Sequence, residues 1–536
     1  MRLKQIILII LISVSSIFAQ DIGTTKVTVI EGFQPTIPEA TRLNENATFA
    51  DTIRRDRTQE YKMIHVNIDS DYNARPLAAA KVKDDKIIGL YATKVGVGFG
   101  NAYTTKLSLV HNSRRSNSLS YGIIANHLAN KYYLAKNSKN SIHLYAKKIS
   151  SSYIFLANLD YDRRTALYYD DELGSEEEKF FRNRFSYTKL SVSAISKEKS
   201  EKQLSHYTTF FISDLNERSE NQLHLSSNLS KRVNGLLFGL EVELNNYLRY
   251  NNPDSEFKNV DLKSLSFSPR TSFSRYGVDF KTSINFDFTN NDPIEFFPQI
   301  SAEKELVKDV LLVYAGLRHN KQKHTIKSFS DQNPYIHSFG TNQSVLVDSL
   351  FLQELRFSDT HEAYLGMRNV LSKGESFEGS VAYGIVEDFA HFTSFAHSDY
   401  SRFIVNYVDV QQLHVSLNYS RVINNIISLN ASSDYFTWDK NVYHTPNLKV
   451  KLGSPINLRD KIKVSPSISY IGERQVNSLS LQIPAQMHAN LGVYYVYSKQ
   501  LSAYLQLNNL ANSKKDLWLG YREVGFNALF GVNYFF

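Results

Sequence analysis

Clustered histidines are the residues of this chain that could do metal or proton chemistry, and two pairs are close in sequence. His319 lies near His324, and His391 lies near His397. Neither pair has a carboxylate at the spacing that orients a metal-bound imidazole. Both pairs fall in stretches that show no strand alternation, so we expect histidines of solvated loops, with no metal and no cofactor.

An acidic run is the second candidate for chemistry. Glu176-Glu177-Glu178 follows Asp170, Asp171 and Glu172. A divalent cation could bridge such acids to the phosphates of lipopolysaccharide, but a solvated loop face is the interpretation we favour. No Ser, His and acid cluster accompanies it, so the chain is not expected to be an enzyme.

Charged residues that alternate with apolar ones form the third group. Successive side chains of a β-strand point to opposite faces, so such residues share one polar face. That face would line the lumen of a membrane barrel or the surface of a soluble sandwich. The group mixes both signs, which favours a hydrated wall over a selective charge ring. The expected lumen-facing residues are Glu241, Glu243, Asp279, Lys281 and Asp287.

The same alternation runs from about residue 85 to the end of the chain. Hydrophobic residues make up 42% and aromatic residues 13%, with 33 Tyr and 33 Phe against 2 Trp. A single soluble core of about 450 residues would normally split into domains, which favours an all-β transmembrane antiparallel β-barrel of about 22 strands (range 14–22). The longest breaks, near 165–181, 319–345 and 388–400, are then expected to be extracellular loops because periplasmic turns are short.

The N-terminus predicts export. Arg2 and Lys4 precede the apolar run 6–12, and Ala19 offers a small residue at a cleavage point. This is the pattern of a secretory signal peptide. We therefore assign residues 1–19 to a signal peptide, 20–85 to an extended N-terminal segment, and 86–536 to the barrel.

The last strand predicts the compartment. Its apolar face alternates and ends on an aromatic residue, which resembles the signal that the barrel assembly machinery reads in the cell outer membrane. The residues of this expected assembly signal are Phe526, Phe530, Tyr534 and Phe536. The net charge of +8 is spread along the chain, so nucleic-acid binding is not expected, and the absence of Cys excludes disulfides.

Several stretches resemble the TonB-dependent receptor-like outer-membrane barrels of Bacteroidota. They are residues 26–30, 75–82, 95–101, 503–510 and 531–534, which have the sequences KVTVI, RPLAAAKV, VGVGFGN, AYLQLNNL and GVNY. The resemblance covers both ends of the chain and is patchy between them. It implies a transport barrel and TonB as a partner.

One departure from that family concerns the plug, a domain of well over a hundred residues that precedes the barrel. Only about residues 20–85 precede the first expected strand here, so the resemblance is to a plugless form. Val27, Thr28, Val29 and Ile30 could be the short motif that TonB pairs with as an added strand. An extended tether is the simpler interpretation, and it is the one we favour.

The expected function is therefore transport or a porin-like activity. A wide barrel without a plug would be a large hole, so we expect residues 20–85, or the loops near 165–181 and 319–345, to enter the lumen. The alternative is a non-transporting accessory barrel in an outer-membrane assembly or secretion complex. Expected partners are outer-membrane lipid, lipopolysaccharide and the assembly machinery, and TonB or other outer-membrane proteins.

Overall fold

A computed structural model describes the chain from residue 91 onwards, with gaps. The described residues are 91–114, 116–132, 135–167, 182–197, 203–216, 220–249, 262–289, 294–336, 355–372, 374–394, 403–477 and 481–536. The expected signal peptide and the N-terminal segment 20–85 lie outside them.

Nearly all of the described residues are in β-strands. The first thirteen are β1 (Thr93–Gly100), β2 (Thr104–Asn112), β3 (Leu119–Tyr132), β4 (Ala135–Ile149), β5 (Tyr153–Leu167), β6 (Arg182–Ser196), β7 (Ser205–Leu215), β8 (Glu220–Val233), β9 (Leu236–Arg249), β10 (Leu262–Arg275), β11 (Val278–Thr289), β12 (Glu295–Val307) and β13 (Leu311–Lys323). A short helix, α1 (Ile326–Gln332), follows β13.

The second half of the chain continues the same sheet. Its strands are β14 (Phe357–Ser372), β15 (Glu375–Ser394), β16 (Phe403–Val422), β17 (Ser428–Trp438), β18 (Leu448–Gly453), β19 (Ile456–Leu458), β20 (Ile462–Ile471), β21 (Arg474–Gln475), β22 (Gln482–Ile483), β23 (Gln486–Val496), β24 (Leu501–Asn508), β25 (Asp516–Trp518), β26 (Tyr521–Arg522) and β27 (Asn527–Phe535). β21 pairs with β22 and β25 with β26 as two small hairpins outside the main sheet.

The main sheet closes on itself. Its first strand, β1, pairs antiparallel with its last, β27, with Phe99 opposite Phe530. β18 and β19 both pair with β20, so they are two halves of one strand interrupted at Pro455, which has no N–H to donate. The result is a closed antiparallel barrel of 22 strands, as the sequence predicted. Closure satisfies the backbone groups that an open edge would leave exposed in lipid.

The two ends of the barrel differ. At the turn end, tight connections join the strands, such as Asn234-Gly235, where both residues have the positive φ of hairpin turns. Both termini of the barrel meet there, since Thr93 and Phe536 exchange backbone hydrogen bonds. At the opposite loop end lie the longer connections, including 324–356 with α1 and the two small hairpins.

The two faces of the wall also differ. On β1 and β27, Val97, Phe99, Phe530 and Tyr534 point outwards and are exposed, whereas Asn533 on the other face is buried. An apolar outer face and a polar inner face suit a barrel surrounded by lipid. In the part of the chain that the structure describes, no helix is long and apolar enough to span a membrane.

Strand boundaries show where alternation misleads. Alternation marks two segments, 402–409 and 411–421, for which a single bent strand was the other interpretation, and they form the single strand β16. β13 extends to Lys323 and β15 to Ser394, so the expected loops begin later than the alternation indicated. The extension of β13 is polar on both faces, whereas that of β15 includes Phe389 and Phe392, which pack in apolar clusters.

Candidate functional site at the loop end of the lumen

The upper part of β13 leaves the barrel wall and bends into the lumen. Leu317 points outwards and is 52% exposed, so the odd-numbered face of β13 faces lipid at that level. Further along the same face, His319 lies 4.0 Å from the ring of Phe297, between ring centroids. Lys323 Nζ lies 2.7 Å from Glu243 Oε1 on β9, four strands away. The odd-numbered side chains of β13 face outwards at Leu317 but contact the inner faces of β12 and β9 farther along the strand. This is possible only if the upper part of β13 lies inside the barrel wall.

This bend ends the ladder between β12 and β13. Their pairing stops at Ile300 opposite Leu317, although β12 continues to pair with β11 as far as Glu295. Pro298, which lacks a backbone donor, lies in the stretch of β12 that β13 no longer accompanies. Side-chain contacts replace the ladder, since Lys321 Nζ lies 2.5 Å from Glu295 Oε2.

After the bend, the chain crosses the lumen as the crossing segment, residues 324–336. α1 begins at Thr325, whose side chain accepts a hydrogen bond from the N–H of Ser328 at 3.0 Å. The buried carboxylate of Glu220, at the start of β8, accepts bonds from the N–H of Ile326 at 2.8 Å and of Lys327 at 3.4 Å. One wall residue therefore accepts bonds from two N–H groups in the first turn of the helix.

A second set of bonds fixes the other end of the crossing segment. Arg164 on β5 donates to the carbonyls of Ser330 and Asp331 at 3.1 and 3.2 Å. Asn183 on β6 is buried and donates to the carbonyls of Pro334 and Ile336 at 2.8 and 2.9 Å. Buried backbone carbonyls need such partners, so the wall is built to receive this segment.

The crossing segment also contacts the far side of the barrel. Ile336 forms a parallel bridge with Phe403 on β16. Tyr335 stacks on Tyr521 of the β25–β26 hairpin, with ring centroids 3.8 Å apart. Together these residues form a buried apolar cluster, the loop-end core, whose buried members are Leu167, Phe185, Leu215, Tyr247, Leu262, Ile326, Phe329, Ile336, Leu355, Phe392, Phe403, Val405 and Tyr521.

The β25–β26 hairpin is anchored from the neighbouring loop. Arg474 on β21 donates to the carbonyl of Leu517 at 2.7 Å, and Gln486 donates to that of Asp516 at 2.5 Å. Trp518 packs between Phe392 and Phe403. The hairpin and the crossing segment therefore meet over the lumen from different sides and, among the described residues, bridge the loop end.

Burial shifts the pKa of several loop groups in this region. It lowers the pKa of His324, which stacks on Phe329, to about 4. It also lowers the pKa of His444, in the loop after β17, to about 4. Burial raises the pKa of Glu523 to about 7, and Arg474 opposes this shift. Both imidazoles are therefore neutral at pH 7 while the loop end is closed.

The residues expected to face the lumen lie on the face opposite the exposed apolar one. Glu243 binds Lys323, as described above, and Glu241 Oε2 lies 3.8 Å from Arg270. Lys281 Nζ lies 2.9 Å from Glu303, Asp279 accepts a hydrogen bond from Ser274, and Asp287 is buried. Glu243 is the member of this set that forms an ion pair with the bent part of β13.

The expectation of solvated histidines was wrong for three of the four. His319 and His391 lie in the extended strands β13 and β15, and His324 follows β13; all three are buried. The sequence neighbours of His319 and His324 are polar, so alternation could not show that this stretch folds inwards, whereas His391 lies between Ala390 and Phe392, which indicated burial. His397 lies outside the described residues. Within the described residues, no group of three or more His, Cys, Asp or Glu is placed to hold a metal.

The remaining expected sites lie at the two ends of the chain or outside the described residues. Phe526, Phe530, Tyr534 and Phe536 are exposed on the outer face, at or beside the closing strand. The acidic run Glu176-Glu177-Glu178 and the motif Val27-Thr28-Val29-Ile30 fall outside the described residues. Sequence reasoning missed Glu220, Arg164 and Asn183, because each is a single polar residue at a strand end.

No family model matches the sequence, and no match was found among curated proteins. Solved structures do match. A mutant of the ferric enterobactin receptor PfeA from Pseudomonas aeruginosa has a TM-score of 0.61 at 12% identity, over 83% of this chain and 80% of that chain. The ferric-catecholate import receptor Fiu from Escherichia coli K12 has a TM-score of 0.59 at 11% identity, over 83% and 82%. The copper transporter OprC gives 0.58 at 11%, over 84% and 81%.

These neighbours are TonB-dependent receptors with 22-stranded barrels. The protein has their fold. A receptor-type barrel of this size belongs to the outer membrane, where closed strands rather than helices cross the lipid. The loop end is then the extracellular side and the turn end the periplasmic side.

Proposed function

We propose that the protein is an outer-membrane transport barrel, similar to TonB-dependent receptors, with the crossing segment as its extracellular gate. One observation carries this proposal. Residues 324–336 are bonded to β5, β6 and β8 on one side and to β16 and the β25–β26 hairpin on the other. A segment that spans a lumen and is held by individual hydrogen bonds and by three side chains in the loop-end core is suited to reversible opening.

The neighbours support transport as the class of function. PfeA and Fiu are named as a ferric enterobactin receptor and a ferric-catecholate import receptor, and OprC as a copper transporter. The polar inner wall of this barrel is compatible with passage of a hydrated solute. At this level of identity the likeness concerns the fold. The identity of the solute therefore has to be inferred from the residues of this chain.

Two further parts of the proposal concern the N-terminal segment. We infer that residues 20–85 do not form a receptor-type plug, because the segment is polar and too short for one. Val27-Thr28-Val29-Ile30 has two interpretations, an extended tether, which we still favour, and a strand that TonB binds by strand addition. If TonB binds it, Val29→Pro would remove a backbone donor from that strand, and energy-dependent uptake should fall while the amount of assembled barrel stays constant. Unchanged uptake would leave the simple tether as the explanation.

Conductance in planar bilayers tests the gate. Replacing residues 324–336 by a Gly-Ser linker of equal length should give large, long-lived openings that the native protein lacks. The same replacement at 113–118, a turn-end connection, is the matched control and should leave the conductance unchanged. Deleting residues 20–80 in a third variant measures what the N-terminal segment contributes. Native-like conductance in the linker variant would contradict the gate.

A disulfide offers the opposite perturbation. The chain has no Cys, and bridge partners on neighbouring strands are close enough for a disulfide. Ile336→Cys with Phe403→Cys should lock the crossing segment when oxidised and block uptake, and a reductant should restore it. Each single substitution controls for the loss of a core side chain. Uptake that is indifferent to the redox state would refute a moving gate.

The closed loop end also fits the alternative, an accessory barrel without solute traffic. In that case neither the linker nor the disulfide would change flux. Stable co-purification with other outer-membrane proteins would then identify the role. A purified monomer that shows solute flux would rule the alternative out.

A further inference from the structure

The charges of the strands are distributed unequally around the barrel. Ten consecutive strand segments around the closure, β18, β19, β20, β23, β24, β27 and β1 to β4, contain no Asp and no Glu. Their basic residues are all lysines. We call the inner surface of these strands the lysine arc.

Most lysines of the arc face the lumen. On each strand the exposed apolar residues mark the outer face, for example Leu107 beside Lys106 and Leu452 beside Lys451, so alternate residues point inwards. The lysines placed inwards in this way are Lys94, Lys106, Lys139, Lys147, Lys451 and Lys463. Lys449 also faces inwards, but it lies opposite Asp434 of β17 in the register.

None of these inward lysines forms an ion pair within the described part of the chain. Lys106 shows what they contact instead: its Nζ lies 3.5 Å from the amide oxygen of Gln506 and 5.3 Å from the ring centroid of Tyr504. A row of like charges without counter-ions raises the local potential and concentrates ions of opposite sign.

The opposite wall is different. There several cations are paired, as in Lys281–Glu303 at 2.9 Å, Arg368–Glu378 at 3.0 Å and Arg318–Glu362 at 2.5 Å, while Lys189 on β6 lies over the ring of Phe211, at 4.2 Å from its centroid. The potentials of paired opposite charges cancel at a distance. These pairs therefore add little to the electrostatic potential in the lumen. The mixture of signs that the sequence indicated belongs to this side alone.

We propose that the lysine arc is the path of an anionic solute that carries several carboxylate or phosphate groups. This inference rests on the proposed transport function and names its substrate class. Lysine ammonium groups are point charges on flexible stems, which suits transient contact with such anions better than fixed bidentate binding by arginine. Conduction needs binding that is weak and repeated, and a row of separate lysines provides it.

The local potential can be measured on the intact chain, because it has no native Cys. A single cysteine at Ser465, an exposed inward residue of β20 next to Lys463, would be reacted with anionic and cationic methanethiosulfonates of similar size. The anionic reagent should react faster relative to the cationic one. Lys463→Gln should lower the ratio of the two rates about threefold, since Lys463 is two residues from Ser465 on the same face of the strand and lies within about a Debye length of it.

The matched control is a cysteine at Ser283, an inward residue of β11 next to the paired Lys281. Its rate ratio should be close to that of a free thiol, and Lys281→Gln with Glu303→Gln should leave it unchanged. Equal ratios at Ser465 and Ser283 would overturn the proposal. Both cysteines are also reacted in the protein whose residues 324–336 are replaced by the Gly-Ser linker, so a closed gate and a neutral arc remain distinguishable. Failure of both reagents at Ser465 in that variant would also overturn the proposal, because the arc would then be closed to solutes.

Discussion

Removing the carboxylate of Glu220 should open the loop end, and the size of the effect follows from its two bonds. The carboxylate is 4% exposed and accepts from Ile326 N–H at 2.8 Å and Lys327 N–H at 3.4 Å. A hydrogen bond to a charged group contributes about 1.5–3 kcal/mol. Because the second bond is long, Glu220→Ala should weaken docking of the crossing segment by about 2–4 kcal/mol, or about 30- to 1000-fold in the opening equilibrium.

Amide hydrogen exchange measures that equilibrium directly. The N–H groups of Phe329 and Asn333 are bonded within the crossing segment, so they exchange when the segment undocks and unfolds. In Glu220→Ala, a peptide covering 324–336 should exchange faster by the factor above. Glu220→Gln keeps one acceptor oxygen and should show a smaller acceleration. A peptide from β27 should be unaffected in both variants.

Glu241→Gln is the matched control, because Glu241 lies on the same wall and approaches only Arg270, at 3.8 Å. It should leave exchange of 324–336 unchanged, since an exposed ion pair contributes about 0–1 kcal/mol. If Glu220→Ala exchanges no faster than Glu241→Gln, the carboxylate does not hold the segment and the reasoning about the gate is wrong.

Three further predictions follow. Burial lowers the pKa of His324 to about 4, so lowering the pH from 6.5 to 4 should favour the open segment by at most about 1.4 kcal/mol per pH unit. The protection factor of 324–336, which is corrected for the intrinsic exchange rate at each pH, should fall over that range and stay constant above pH 7, and His324→Asn should weaken the dependence. Gly384→Ala would place a Cβ 1.9 Å from the carbonyl oxygen of His361, so the yield of heat-modifiable barrel should fall. Gly453→Ala is the control and should be tolerated, because the atom closest to its Cβ would be 4.0 Å away. Phe536→Ser leaves the backbone bonds to Thr93 intact but should slow assembly of the barrel into the membrane. Leu517 is also exposed and apolar, and Leu517→Ser should leave the assembly rate unchanged. Equal assembly rates of the two variants would refute Phe536 as part of the signal.

The sequence predicts the wall well, because one physical rule governs it. Lipid outside and water inside force alternate residues to differ, so strands such as β9 and β11 can be found from Val242 and Phe286 and their polar neighbours. Joining the segments 402–409 and 411–421 turns the strands expected from the sequence into the 22 of the barrel. The interruption at Pro455 does not change the number of strands, because β18 and β19 are two halves of one strand.

The gate could not be predicted in the same way. Its position depends on single polar residues, such as Glu220 and Asn183, meeting a segment more than a hundred residues away in the chain. The inward bend of β13 has no periodic signature, because its residues after Leu317 are polar on both faces. The loop near 319–345 was expected to enter the lumen on grounds of occlusion alone. The described part, up to Ile336, does enter it.

The crossing segment also has a mechanical consequence. A hollow cylinder of 22 strands is easily flattened, because hinge-like motion between neighbouring strands costs little and adds up around the circumference. The bonds from the crossing segment to Arg164, Glu220 and Phe403 connect separate parts of the wall across the lumen and fix the distance between them. Release of the segment by a solute, as proposed above, would free the cross-section to change shape along its whole height. The periplasmic rim would then respond to an event at the extracellular mouth without any moving part between them.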